Sequence, residues 1–370
     1  MAEEGTPYAL PDGGALIAPL PKISLHDHLD GGLRPETIIE LAEPIGHALP
    51  ATDPAALAAW FHDSAGSGSL PRYLQTFAHT LAVLQSREGL ERAARDFVAD
   101  LVADGVVYAE VRWGPEQHLE RGLGLDEAVA AVQAGLEAGA DAAASAGRRI
   151  RTGQLLCAMR QNDRAREIAE LAVRHRDRGV VGFDIAGPEA GFPPSGHRDA
   201  FDLLAAAWMP RTVHAGEADG LDSIRSALLD GHALRLGHGV RIADDIHVES
   251  EDAEATIVSL GPLARWVRDR EIALEIAPSS NLQTEAAGTD LADHPFDLLY
   301  QLGFSVTVNP DNRLMSATSI TRELAELARQ FGYGIDDLEA FQLNAAAAAF
   351  LPLDDREELA ETILAGHRGR

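Results

Sequence analysis

Ile23-Ser24-Leu25-His26-Asp27-His28 reads as a short strand that ends on two histidines. Side chains two apart on a strand point to the same face, so both imidazoles can converge on one ion. On its own such a pair is a common accident of sequence. Seven further strand-like runs follow at Val106–Arg112, Gly153–Cys157, Val180–Ile185, Arg211–His214, Leu234–His238, Ala273–Ile276 and Phe304–Val308. Helical patterns lie between most of them, at Leu125–Ala146, Ala165–Arg178, Asp222–Asp230, Pro262–Arg270 and Ser319–Phe331. Eight strands separated by helices predict one α/β domain over residues 1–370, a single (β/α)8 TIM barrel, rather than two domains.

The first connection is unusually long. Nearly eighty residues part the first two strands, with helical stretches near Pro35–Ile45, Pro54–Phe61, Pro71–Leu84 and Glu88–Ala103. This insertion, residues 34–104, reads equally as a lid over the barrel mouth or as added packing on its wall. The tail beyond Phe331 reads as extra C-terminal helices that close the barrel's outer layer.

Composition removes several classes of function. Acids outnumber bases by 58 to 31, for a net charge of −27, whereas a nucleic-acid binder needs clustered cations. No apolar run is long enough to cross a bilayer, and the first residues lack a basic, then apolar, secretory pattern, so the expected location is the cytoplasm. Cys157 is the only cysteine, which excludes an intrachain disulfide and any multi-cysteine metal site. It lies in an apolar run and reads as a buried, inert thiol. Nothing in the sequence sets the oligomeric state.

The ends of the other predicted strands carry chemistry as well. His214-Ala215-Gly216-Glu217, Gly237-His238-Gly239 and Asn309-Pro310-Asp311-Asn312 each follow a strand, at the face where barrel enzymes assemble their sites. Taken singly, each could be a satisfied core histidine or a capping carboxylate. Four in succession point to a site instead. Histidine and aspartate together supply nitrogen and oxygen donors suited to zinc with one position open for water.

Several motifs together resemble the adenosine deaminase family, its actinobacterial members above all. They are Leu25-His26-Asp27-His28-Leu29-Asp30-Gly31-Gly32, Asp184-Ile185-Ala186-Gly187, Thr212-Val213-His214-Ala215-Gly216-Glu217 and Arg235-Leu236-Gly237-His238-Gly239. They occur in the family's order, and the similarity runs from about Pro21 to Leu351. The resemblance implies one zinc per chain, held by His26, His28, His214 and Asp311, and a purine nucleoside as the small-molecule substrate. Glu217 would exchange a proton with N1 of the purine, and His238 would orient and deprotonate the attacking water. Asp311 would count with these two as catalytic. The Gly187 N–H would meet N3 and Asp30 the ribose 5′-hydroxyl, with His28 and Asn312 also facing the substrate. The implied reaction is hydrolytic deamination of adenosine and 2′-deoxyadenosine to the inosines and ammonia.

Two absences accord with that resemblance. A single cysteine cannot build the H-x-E, P-C-x-x-C deaminase site. Lys22 is the only lysine and precedes the first strand, so a carbamylated lysine bridging two metals cannot form. There are departures too. Asn312 stands where the family commonly has a second aspartate contacting N7, and Pro310 where threonine is usual. An asparagine amide donates to N7 at any pH, whereas an aspartate must be protonated to do so. Rival readings are a deaminase of adenine or of a modified adenosine such as aminodeoxyfutalosine, and a catalytically silent barrel that binds purines.

Overall fold

The computed structural model describes residues 8–11, 15–66, 73–251 and 256–368. Strands β1 (Lys22–His28), β2 (Val106–Trp113), β3 (Arg151–Met159) and β4 (Val180–Ala186) form one parallel sheet in sequence order. Strands β5 (Thr212–Ala215) and β6 (Arg235–His238) belong to a second parallel sheet with two later strands, β9 (Ala273–Ile276) and β10 (Val306–Val308). Two isolated parallel bridges, Phe183 to Arg211 and Asp27 to Asp311, join the sheets at both seams. At the second seam the His28 N–H donates to Asp311 O at 2.8 Å, and the Asp311 N–H donates to His26 O at 3.0 Å. The eight strands are those expected from the sequence, and the fold is the (β/α)8 barrel.

Local chemistry sets the helix boundaries. Asp53 accepts the Ala56 N–H at 2.9 Å ahead of Pro54, starting the helix Pro54–Ala65. Ser86 and Ser319 cap Arg87–Ala103 and Ile320–Phe331 in the same way. The insertion after β1 contains the helices Pro35–Ala42, Pro54–Ala65, Phe77–Val83 and Arg87–Ala103. Of the helix expected over Pro71–Leu84, residues 71 and 72 lie outside the described residues.

Three expectations need correction. Between β6 and β9 an antiparallel hairpin of β7 (Ile246–Glu251) and β8 (Thr256–Leu260) was not foreseen. Ile246 and Leu260 at its base pack on the core, but Val248 and Ile257 are 62% and 59% exposed, so little core-facing periodicity marks it. Strand β10 starts later than Phe304, because the Val306 N–H turns back to Phe304 O at 2.9 Å. The last helices, Ile335–Ala348 and Leu353–His367, do more than extend the outer layer. Ala345, Ala346, Ala349, Leu359 and Ile363 pack on Ile23, Leu25 and Tyr108 at the start of β1 and β2. The Gln342 side-chain oxygen accepts the Ile23 N–H at 2.7 Å, so these helices close the barrel's N-terminal end.

Helices Arg87–Ala103 and Leu125–Ser145 pack tightly at Gly135. A Cβ there would lie 2.3 Å from Glu91 O and 2.7 Å from the Ala94 methyl. Gly135→Ala should therefore lower stability by about 1–3 kcal/mol, the usual range for overpacking. Denaturant midpoints should show the loss while turnover per folded molecule is unchanged; an unaltered midpoint would mean the helices separate freely.

Candidate active site

The C-terminal ends of β1, β5, β6 and β10 deliver the polar residues. Gly237, opposite His214 in the ladder, leaves room for that imidazole: a Cβ at Gly237 would stand 3.3 Å from the ring. One ligand atom from each of His26, His28, His214 and Asp311 lies within 4.8 Å of the others. His26 Nε2 is 3.1 Å and His28 Nε2 3.3 Å from Asp311 Oδ1, and His28 Nε2 is 3.4 Å from His214 Nε2. Four donors about 2.0–2.1 Å from a tetrahedral ion stand roughly 3.4 Å apart, so this spacing fits zinc. His26 Nε2 and Asp311 Oδ1 are also buried without a hydrogen-bond partner, as metal-facing donors require.

The far sides of His26, His214 and Asp311 are anchored. His26 Nδ1 meets Glu275 Oε2 at 3.1 Å, and His214 Nδ1 meets Asp184 Oδ2 at 2.7 Å. Carboxylates there place the proton on Nδ1 and leave the Nε2 lone pair for the metal. Ser280 Oγ donates to Asp311 Oδ2 at 2.7 Å. Burial lowers the pKa of His26 to about 4, so this ring is neutral and able to ligate at pH 7. Burial likewise drives His28 well below the ordinary histidine value. In His214 burial acts downward, but the Asp184 carboxylate prevails and raises its pKa.

The catalytic candidates adjoin this cluster. His238 Nε2 lies 3.6 Å from Glu217 Oε2, and its Nδ1 lies 3.0 Å from the Asn281 amide nitrogen. Burial raises the pKa of Glu217, favouring the protonated acid. His238 and Asp311 both adopt left-handed backbone, with φ of 61° and 58°. Such strain persists only where surrounding bonds enforce it.

A cavity of about 200 Å³ includes His28, Asp30, Gly187, His214, Glu217, His238, Asp311 and Asn312 in its wall. All the expected substrate-facing residues thus share one cavity, while His26 is fully buried and does not line it. Tyr73, Leu74, Phe77 and Leu81 of the insertion line the same space, so this part of the insertion forms a wall of the cavity. Asp30 Oδ1 is buried without a partner, and burial pushes its pKa up to about 7. Asn312 Oδ1 packs over Gly31, where a Cβ would come within 1.8 Å of it. The inert reading of Cys157 meets a qualification, because this thiol also lines the cavity; burial nevertheless holds its pKa well above the ordinary value. Lys22 is buried at the opposite end of β1, its Nζ donating to Ile17 O, Ala18 O and Leu20 O.

Sequence reasoning missed Glu275 and gave Asp184 no role. Each is a charged residue inside an otherwise apolar barrel strand, and that was the available signal. Asn281 and Ser280, on the short helix Pro278–Gln283 after β9, offered no comparable mark.

Comparison with known proteins covers nearly the whole chain. A family model described as adenosine deaminase matches residues 21–365. Adenosine deaminase 1 of Streptomyces coelicolor is 56% identical over 337 residues, 91% of this chain and 84% of that protein. The adenosine deaminase of Mycobacteroides abscessus is 52% identical over 349 residues, 94% and 95% of the two chains. Among solved structures, an amidohydrolase from Burkholderia ambifaria with bound zinc superposes with a TM-score of 0.78 at 24% identity, covering 98% of this chain and 100% of that one. At that identity the likeness bears on the fold alone.

If Glu275 fixes the His26 tautomer, Glu275→Gln should weaken zinc binding by about 10- to 100-fold, the usual cost of losing such a partner. Competition against a chelator measures it, and wild-type affinity would remove Glu275 from the metal's support.

Proposed function

Because this chain belongs to the adenosine deaminase family, we propose that the residues around its cavity carry out zinc-dependent hydrolysis of adenosine at C6. The observation that most supports this reading is the juxtaposition of the His26, His28, His214 and Asp311 donors with Glu217 and His238 at one cavity. His26, His28, His214 and Asp311 would hold the zinc, which when bound would lower the pKa of a water from about 15.7 to about 7.

The protein's own groups then manage protons and orientation. His238 accepts the proton of the attacking water at Nε2. For that Nδ1 must carry its hydrogen and meet the Asn281 amide oxygen; that oxygen instead lies 3.4 Å from His294 Nε2, with the amide nitrogen on His238, so the Asn281 amide must turn over for His238 to serve as the base. Attack at C6 pushes electron density onto N1, and the protonated carboxyl of Glu217 donates there. His238 then passes the water's proton to the amino group, the C6–N bond breaks and ammonia departs, and the C6 hydroxyl gives its proton back to Glu217 to leave the 6-oxopurine. Gly187, with φ of 100°, offers its N–H to N3. The Asn312 amide nitrogen, at the end opposite the oxygen seated on Gly31, donates to N7.

The ligand is a small purine compound. Among the described residues no helix is long and apolar enough to cross a membrane. We read residues 1–370 as one catalytic unit with residues 34–104 inserted in it.

Glu217→Gln preserves shape but cannot donate a carboxyl proton. Ultraviolet assay of adenosine should show turnover reduced by at least ~10²-fold, with zinc content unchanged. Since the acid must be protonated, wild-type kcat should decline as pH rises through the raised Glu217 pKa; the glutamine variant should lack that limb. Near-normal turnover in the variant would assign the proton transfer elsewhere.

The unpaired Asp30 oxygen supports a ribose contact. A partly ionised carboxyl can accept from the 5′-hydroxyl or donate to its oxygen. Loss of the hydroxyl strands a buried group at about 1–3 kcal/mol, so 5′-deoxyadenosine should have roughly 5- to 150-fold lower kcat/KM. Asp30→Ala should shrink that gap. Equal use of both nucleosides, or preference for a bulky 5′ substituent, would shift the assignment to a modified adenosine.

A further inference from the structure

Glu189 follows β4 by three residues and is 3% exposed, yet the chemistry above gives it no part. Its carboxylate is saturated by one short turn. Oε1 accepts the Gly216 N–H at 2.6 Å and the Ser223 hydroxyl at 2.5 Å. Oε2 accepts the N–H groups of Glu217 at 3.0 Å, Ala218 at 2.6 Å and Asp219 at 3.0 Å. Four consecutive amides converge on one anion because Gly216, with φ of 75°, bends the chain into a concave nest. The turn so held runs from β5 into the helix Leu221–Leu229, and Glu217 stands at its centre.

The other end of the contact is equally placed. Glu189 lies two residues beyond Gly187, so its carboxylate ties the loop after β4 to the loop after β5. On the reading above, Gly187 serves N3 and Glu217 serves N1, the two nitrogens that flank C2 of the purine. We propose that Glu189 is a positioning residue: it fixes the separation between the N1 proton donor and the N3 N–H, and so sets Glu217 for proton transfer. This rests on the assignment of Glu217 as the acid. A neutral residue cannot replace it, because an amide accepts through one oxygen and would aim its NH2 at the converging N–H groups.

The test is a double-mutant cycle on the zinc-loaded full chain, with steady-state kinetics on adenosine, zinc analysis and melting curves. Glu189→Gln should lower kcat by about 10- to 100-fold, since displacement of a catalytic group by an ångström costs on that order. KM should rise much less, and zinc should remain at one per chain. In a Glu217→Gln background the same substitution should cost less than about 2-fold, because partners in one function couple. A purely structural role would multiply the two losses, and that result overturns the proposal, as does wild-type kcat in Glu189→Gln. Should Glu189→Gln fail to fold, Ser223→Ala removes one donor and keeps the anion. It should lower kcat about 2- to 5-fold, with the loss again vanishing beside Glu217→Gln; equal loss in both backgrounds overturns the proposal. Near-normal turnover of Glu217→Gln alone would sink the acid assignment and this inference with it. Crippled Glu217→Gln with multiplied penalties would sink this inference alone.

Discussion

A guanidinium in the middle of the barrel governs how the imidazoles of the histidine–aspartate cluster point. Arg112 Nη1 holds Asp184 Oδ2 at 2.8 Å and Nη2 holds Glu275 Oε2 at 2.6 Å, with no solvent exposure on any of the three side chains. Those carboxylates orient His214 and His26. Arg235 binds the other Glu275 oxygen at 2.6 Å and also pairs with Glu110, extending the lattice toward the N-terminal end. Burying so many charges is a poor route to stability, because desolvation offsets most of the attraction. Its use here is orientation. Burial acts against ionisation of Glu275 and Asp184, yet the neighbouring cations hold both pKa values below the ordinary range. Both therefore remain anions that fix a histidine tautomer. Removing any one member would leave a buried, uncompensated charge.

Strain sits one layer above this lattice. A left-handed residue other than glycine costs of order 1–3 kcal/mol, and His238 and Asp311 both carry that cost. Asp311 is held by two backbone bonds to β1 and by Ser280, and His238 by Asn281. The short strands help. Strand β10 spans only Val306–Val308, so the chain leaves the sheet early enough for Asp311 to turn inward.

Much of this was legible in the sequence because barrel strands are short, apolar and regularly interleaved with helices. The site residues were legible because their polar groups fall at strand ends, where burial gives an imidazole or carboxylate little reason to be without a task. Their assigned roles came from resemblance rather than from periodicity. The supporting residues were harder to read. Glu275 looks like a lapse in an apolar strand until Arg112, Arg235 and His26 are seen around it. Glu189 looks like a loop residue until four distant amides converge on it. Both depend on contacts between parts of the chain that no local pattern records. The hairpin β7–β8 escaped for a different reason, since an exposed ribbon need not display a buried face.

The seam between β1 and β10 has a consequence for biosynthesis. His26 and His28 emerge among the first residues of the growing chain, but Asp311, which bonds to both of their backbones, emerges after three hundred residues. A nascent chain therefore carries both imidazoles long before the carboxylate that stands against them. The four donors can come together only after the last barrel strand has paired with the first, so the cluster is a product of barrel closure and not of any local segment.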